Sequence, residues 1–174
     1  MLDDKAIWES ICRRDARVFD AFYQECAPRL RAFLRQILGS PQAADDIAQD
    51  TFVSLWKRPS GFQPGRGSLR AYLYGIARNR AAEWWRAQHP RNVWVDQPLA
   101  TCPSEIISIH DAFAQLPEDQ RTLLWLREVE GQSYAELAAI LDIPIGTVRS
   151  RLFAAREHLR SVWYGAPRRA KENA

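Results

Sequence analysis

The outward residues of one C-terminal helical pattern carry the most specific chemistry in the chain. Thr147, Arg149, Ser150, Phe153 and Arg156, with Arg151 on their flank, lie away from an apolar stripe formed by Val148, Leu152, Ala155 and Leu159. Arginine reaches guanine edges bidentately, serine adapts to either base, and an exposed phenylalanine can meet a thymine methyl; each good contact discriminates by about 1–3 kcal/mol. A second set spans Arg70, Tyr74, Arg78, Ala81 and Trp85 at helical spacing, with Arg80, Trp84 and Arg86 nearby. Cations follow phosphates while rings stack on unpaired bases, at about 1–3 kcal/mol per base. Trp84 and Tyr72 read as core. A third stripe, Asp46, Gln49, Asp50, Val53 and Trp56, sets a large ring beside carboxylates on an outward helix face. That pattern is a protein-docking surface, or else a solvated acid face. Asp45, Asp46 and Asp50 as metal ligands of a nuclease form a competing reading, but no histidine or further acid converges nearby in sequence.

Helices must position all three sets, because the apolar periodicity is helical almost throughout and no stretch alternates at period two. Ile7 and Ile11 suggest a short first helix, and Phe19, Phe22, Tyr23 and Cys26 a second that turns before Pro28. Leu30, Phe33, Leu34, Ile37 and Leu38 continue the pattern up to Gly39, a C-terminal stop. Ser40-Pro41 reads as N-cap and first helical position, and Ala44, Ile47, Ala48, Thr51, Phe52 and Leu55 form the inner stripe of the helix they open. A loop with Pro59, Gly61, Pro64, Gly65 and Gly67 precedes Ser68, which can cap a helix with Leu69, Tyr72, Leu73, Ile76 and Ala77 inward. After Pro117, Leu123, Leu124, Leu126 and Val129 give an apolar face ending at Gly131. Ser133-Tyr-Ala-Glu136 is a capping box. The turn Asp142–Gly146 then leads into a helix beginning at Thr147, so that two helices joined by a tight turn, the second basic, form a helix-turn-helix.

Charge is segregated along the chain. Residues 57–91 carry +7 and residues 144–174 carry +5, while the intervening and preceding segments are acidic and the total is only +3. Two basic blocks imply a polyanion contacted at two places. Periodicity lapses from Pro90 to Pro103, whose fourteen residues reach at most about 45–50 Å when extended, beyond one DNA turn of roughly 34–36 Å. The expected organisation is therefore all-α, with two small helical domains at 1–91 and 105–164, a flexible linker at 92–104 and a basic disordered tail at 165–174. No apolar run approaches membrane-spanning length, and Met-Leu-Asp-Asp reads against a secretory leader. Cys12, Cys26 and Cys102 show no metal-ribbon or disulfide spacing, which fits a cytoplasmic chain.

Five stretches together resemble the sigma-70 family of bacterial RNA polymerase initiation factors, specifically its extracytoplasmic-function (ECF) group. They are Ala44–Trp56, Leu69–Arg80, Leu116–Arg121, Tyr134–Ala138 and Ile145–Leu152, in that order. The resemblance implies a region 2 helical bundle followed by a region 4 helix-turn-helix. In it, Asp46, Gln49, Asp50, Val53 and Trp56 meet the clamp helices of the polymerase beta-prime subunit, with the beta subunit as a further partner. The loop from Ser60 to Ser68, including Arg66, holds a base flipped from the minus-ten promoter element. Arg70, Tyr74, Arg78, Asn79, Arg80, Trp85 and Arg86 contact that element, with Asn79 at its upstream edge. Thr147, Arg149, Ser150, Arg151, Phe153 and Arg156 read the minus-thirty-five element.

Melting is then differential binding, since extruding a base costs a few kcal/mol that an accepting pocket recovers. No catalytic residue, metal or cofactor is implied, and no phosphate-binding loop of the Gly-x-x-x-x-Gly-Lys kind occurs in the sequence. An anti-sigma factor is an expected partner, and membrane insertion is not. The alternative is a stand-alone helix-turn-helix regulator whose N-terminal half senses a ligand or dimerises.

Overall fold

The computed structural model describes residues 3–65, 67–88 and 109–164, and every regular element among them is helical. The expected linker, the tail, Arg66 and Cys102 lie outside the described residues. The first unit comprises α1 (Asp4–Cys12), α2 (Ala16–Leu38), α3 (Pro41–Lys57), a short 3-10 turn at Pro59–Gly61, and α4 (Leu69–Gln88). The second comprises α5 (Ile109–Ala114), α6 (Glu118–Leu124) with a π turn at Trp125–Val129, α7 (Tyr134–Leu141) and α8 (Ile145–Tyr164).

The boundaries of the first unit arise from local chemistry. Asp15 accepts hydrogen bonds from the Arg17 and Val18 amides at the start of α2, and Gly39 ends it at φ +65°. Ser40 accepts from the Ala43 amide at 3.3 Å, with Pro41 opening α3. One expectation fails here, because α2 runs straight through Pro28. An interior proline costs about 3 kcal/mol. However, Cys26, Ala27, Leu30 and Phe33 are buried on both sides of it, and each large apolar side chain so buried stabilises by about 1.5–3 kcal/mol. Pro28 itself faces solvent, where water can satisfy the carbonyl that its missing amide leaves unpaired. α2, α3 and α4 pack on one another around Phe33, Leu34, Ile47, Phe52, Leu55, Leu73 and Ala77.

In the second unit α5, α6 and α7 all pack on α8, burying Leu123, Leu126, Leu137, Val148 and Leu152. The Ser133 hydroxyl accepts from the Glu136 amide at 3.2 Å while the Glu136 carboxylate accepts from the Ser133 amide at 2.8 Å, completing the capping box. Val129, expected inward, is 55% exposed. The turn before it widens, with the Glu130 amide donating to the Trp125 carbonyl at 3.1 Å. One additional residue in a turn rotates the later side chains by about 100°. α8 starts at Ile145, two positions ahead of the expected Thr147.

The units touch, with α7 against α4 and α6 against α2.

Candidate nucleic-acid and docking interfaces

α8 presents its polar face as the periodicity dictates. Arg149, Ser150, Arg151 and Ala154 are exposed, Phe153 is 68% exposed, and Thr147 and Arg156 are partly covered. Two of these side chains are already oriented. The Arg149 guanidinium lies 6.0 Å from the centre of the Tyr134 ring, which also carries Arg127 at 4.8 Å, within cation–π range. Arg156 donates to the Glu128 carboxylate at 2.6 Å. Tyr134 was not among the sequence candidates, because a ring one residue past an N-cap gives no signal of what it supports.

On α3, Asp46, Gln49, Asp50 and Val53 form an exposed ridge. Trp56 departs from it. Its ring is half-buried, 4.7 Å from Phe19, with the Arg14 guanidinium 5.3 Å above it and donating to the Trp56 carbonyl. It therefore closes the end of the ridge instead of standing out from it. Two of the three acids of α3 are held by different arginines. Asp45 pairs with Arg35 at 3.0 Å and Arg31 at 3.7 Å, and Asp50 with Arg80 at 3.4 Å. Among the described residues no cluster of metal-ligating side chains occurs.

On α4 the expected DNA-facing set divides between surface and core. Asn79 and Arg86 are exposed, while Arg78 is half-buried. Arg70 is half-buried and paired with Glu25 at 2.5 Å. Arg80 reaches back to α3, donating to the Ser54 hydroxyl at 2.5 Å as well as to Asp50. Trp85 is half-buried edge-on to Trp84. Tyr74, expected on the DNA-facing stripe, is only 1% exposed. Its ring meets Phe33 edge-on at 5.2 Å, and burial together with the nearby Glu130 of the second unit pushes its hydroxyl far above the usual tyrosine range. A phenol so enclosed cannot stack on a base. Ala81 is likewise fully buried. In the preceding loop, Phe62 anchors the chain by packing edge-on against Trp8 at 6.1 Å, while the Trp8 indole donates to the Pro59 carbonyl at 2.9 Å.

The N-terminus of α4 is capped three ways. Ser68 accepts from the Ala71 amide at 3.0 Å, Asp4 from the Leu69 amide at 2.9 Å, and Glu136 of the second unit from the Ser68 amide at 3.3 Å. Burial raises the Glu136 pKa, but the hydrogen bonds from Ser68 and Ser133 outweigh it and hold the carboxyl below its ordinary 4.5. A depressed folded pKa means stability that is complete above about 4.5 and is lost as pH falls through the folded value. Thermal midpoints measured between pH 7 and pH 3 should therefore fall more for the wild type than for Glu136→Gln. Equal slopes would remove Glu136 as an ionised link.

The comparisons with known proteins bear on the whole chain. Residues 22–91 match sigma-70 region 2 and residues 106–159 match sigma-70 region 4. This chain belongs to the sigma-70 family. Among its relatives, the RNA polymerase sigma-H factor of Pseudomonas aeruginosa is 31% identical, covering 88% of this chain and 90% of that one. The ECF RNA polymerase sigma-E factor of Haemophilus influenzae is 29% identical, covering 92% of this chain and 95% of the relative, and the ECF group is the one to which this sigma factor belongs. The solved sigma factor RpoE of Bartonella quintana, in complex with the anti-sigma factor NepR, superposes with a TM-score of 0.68 at 26% identity, covering 86% of this chain and 98% of that one. The region 2 match runs from within α2 through α4, and the region 4 match takes in α5, α6, α7 and most of α8.

Proposed function

We propose that this ECF sigma factor binds core RNA polymerase through the α3 ridge of Asp46, Gln49, Asp50 and Val53, with Trp56 closing its end. It then recognises promoter DNA at two elements. The α8 face of Thr147, Arg149, Ser150, Arg151, Phe153 and Arg156 reads the minus-thirty-five element. Arg78, Asn79, Arg80 and Arg86, with Arg70, Trp85 and the Ser60–Ser68 loop, engage the minus-ten element, and Tyr74 supports that helix from the core. The observation that carries this reading is the exposed Arg149–Ser150–Phe153 face on the second helix of a capped helix-turn-helix, behind a region 2 match in the same chain.

The work is done by binding. Strand opening draws on the difference in affinity between duplex and opened promoter, with no nucleotide hydrolysis, so the protein is a specificity subunit and not an enzyme. It acts in the cytoplasm, where polymerase is; among the described residues no helix is long and apolar enough to cross a membrane. The anti-sigma complex of the Bartonella relative supports control of this chain by an anti-sigma factor. The stand-alone regulator reading is the less favoured one, because a sigma-70 region 2 match precedes the helix-turn-helix in the same chain.

Run-off transcription with core polymerase tests the proposal. The purified chain should direct initiation from its own promoter and bind that DNA weakly without core; tight operator binding by the chain alone, with core ignored, would overturn it. Asp50→Ala should reduce capture of core polymerase several-fold, since its side chain is 66% exposed, while the melting temperature stays nearly unchanged. Undiminished capture would remove Asp50 from the docking surface.

A further inference from the structure

The segment ahead of the region 2 match, which begins at residue 22, holds the α3–α4 loop at both ends. α1 packs on the 3-10 turn and on α4. The Trp8 indole donates to the Pro59 carbonyl at 2.9 Å, and the Phe62 amide donates to the same carbonyl at 3.1 Å. The Trp8 ring meets Phe62 edge-on at 6.1 Å, and Phe62 is only 5% exposed. At the far end of the loop the Asp4 carboxylate accepts from the Leu69 amide at 2.9 Å. At the near end Arg14 donates to the Trp56 and Lys57 carbonyls. Its backbone is left-handed there, at φ +63°, a conformation an arginine keeps only where its surroundings impose it.

We infer that α1 is a positioning element for minus-ten recognition, with Trp8 fixing the wall against which the α3–α4 loop takes an unpaired base. The inference rests on the assignment of the Ser60–Ser68 loop to that base. Three glycines, Gly61, Gly65 and Gly67, stand in this loop, and glycine loses more conformational freedom on ordering than any other residue. An unbraced loop has to be ordered anew with each base it takes, whereas a wall held from outside is already ordered when the base arrives. The hold passes inward by contact. Trp8 fixes Phe62, the Phe62 ring lies 5.7 Å from that of Tyr72, and Gly61 sits so close to the Tyr72 hydroxyl that a Cβ has no room there. Gly61, Phe62, Gln63, Ser68 and Tyr72 line the first unit's side of a crevice of about 730 Å³. Displacing the Trp8 ring therefore displaces the surface that a base edge meets, while the α8 face and the Asp46–Val53 ridge lie on other elements.

Trp8→Phe and Trp8→Ala in the full chain test the inference by two readouts. Trp8→Phe keeps a ring against Phe62 but cannot donate to Pro59, and Trp8→Ala loses both contacts. Hydrogen exchange reads the brace. The Phe62 amide should exchange about fivefold faster or more in Trp8→Ala, the equivalent of one hydrogen bond's net contribution, and less so in Trp8→Phe, with α8 amides unchanged. Run-off transcription with core, on promoters carrying each base in turn along the minus-ten element, reads the consequence. The wild-type base preference at one minus-ten position should fall about threefold or more in Trp8→Ala, the equivalent of immobilising one side chain afresh. It should be partly restored in Trp8→Phe, and the preference at the minus-thirty-five element should stay intact. Unchanged exchange in both variants, or a uniform loss on every promoter with the minus-ten preference preserved, overturns the inference. Should Trp8→Ala not fold, Trp8→Phe decides on the same two readouts. A wild type with no minus-ten preference, beside a faster-exchanging loop in the variants, would overturn the assignment of the loop to a base and with it this role for α1, leaving the brace as a contact only.

Discussion

Alanine at position 149 should cut run-off transcription from the cognate promoter by roughly five- to 150-fold, the equivalent of about 1–3 kcal/mol for one bidentate base contact. The side chain is exposed on the first turns of α8, so its removal leaves no cavity and the melting temperature should barely move. The loss should be confined to promoters with an intact upstream element, and the variant should discriminate poorly against substituted ones. A uniform loss on every sequence, with a shallower salt dependence, would make Arg149 a phosphate contact. Tyr134 sharpens the expectation. Its ring lies 6.0 Å from the Arg149 guanidinium, restricting a side chain that otherwise loses much rotamer entropy on binding. Tyr134→Ala should therefore weaken the same promoters in the same direction, but less than Arg149→Ala does.

Most of the fold was legible in the sequence because helix ends are written locally. Gly39, Ser40-Pro41 and the Ser133/Glu136 box each act through neighbours within a few residues, and the structure places all of them at helix ends as read. What escaped depends on distant partners. Periodicity assigns Tyr74 to a stripe shared with arginines, but only the packing of Phe33 from α2 and Glu130 from the second unit makes that position interior. The same limit applies to Arg80. Sequence shows a cation on α4; the fold shows it tied to Asp50 and Ser54 of α3, thirty and twenty-six residues away. Pro28 misled for a related reason, since local propensity predicts a break that burial on either side overrides. The α8 face was legible because Arg149, Ser150, Arg151 and Phe153 are exposed, so no distant partner had to be known to place them. The α3 ridge was legible from Asp46 to Val53 on the same ground and failed only at Trp56, where Arg14 and Phe19 close over the ring.

Two phenylalanines separate folding from recognition in a single experiment. Phe33 is fully buried in the region 2 bundle and Phe153 is 68% exposed on α8, yet both substitutions to alanine delete the same ring. Phe33→Ala should destabilise the protein by about 3–5 kcal/mol, from lost transfer free energy plus the cavity left under Tyr74. That is a large fraction of the total stability of a domain this size. Transcription should then fall on every promoter, together with core binding and thermal midpoint. Phe153→Ala should stay within about 0.5 kcal/mol of wild-type stability and retain core binding, while transcription falls only where the upstream element presents a thymine methyl to the ring. Chemical denaturation beside run-off on paired promoters reads both outcomes. A stable Phe33→Ala would mean that the bundle relaxes around the missing ring, and a destabilised Phe153→Ala would mean that this ring packs against the protein and is not free to meet DNA.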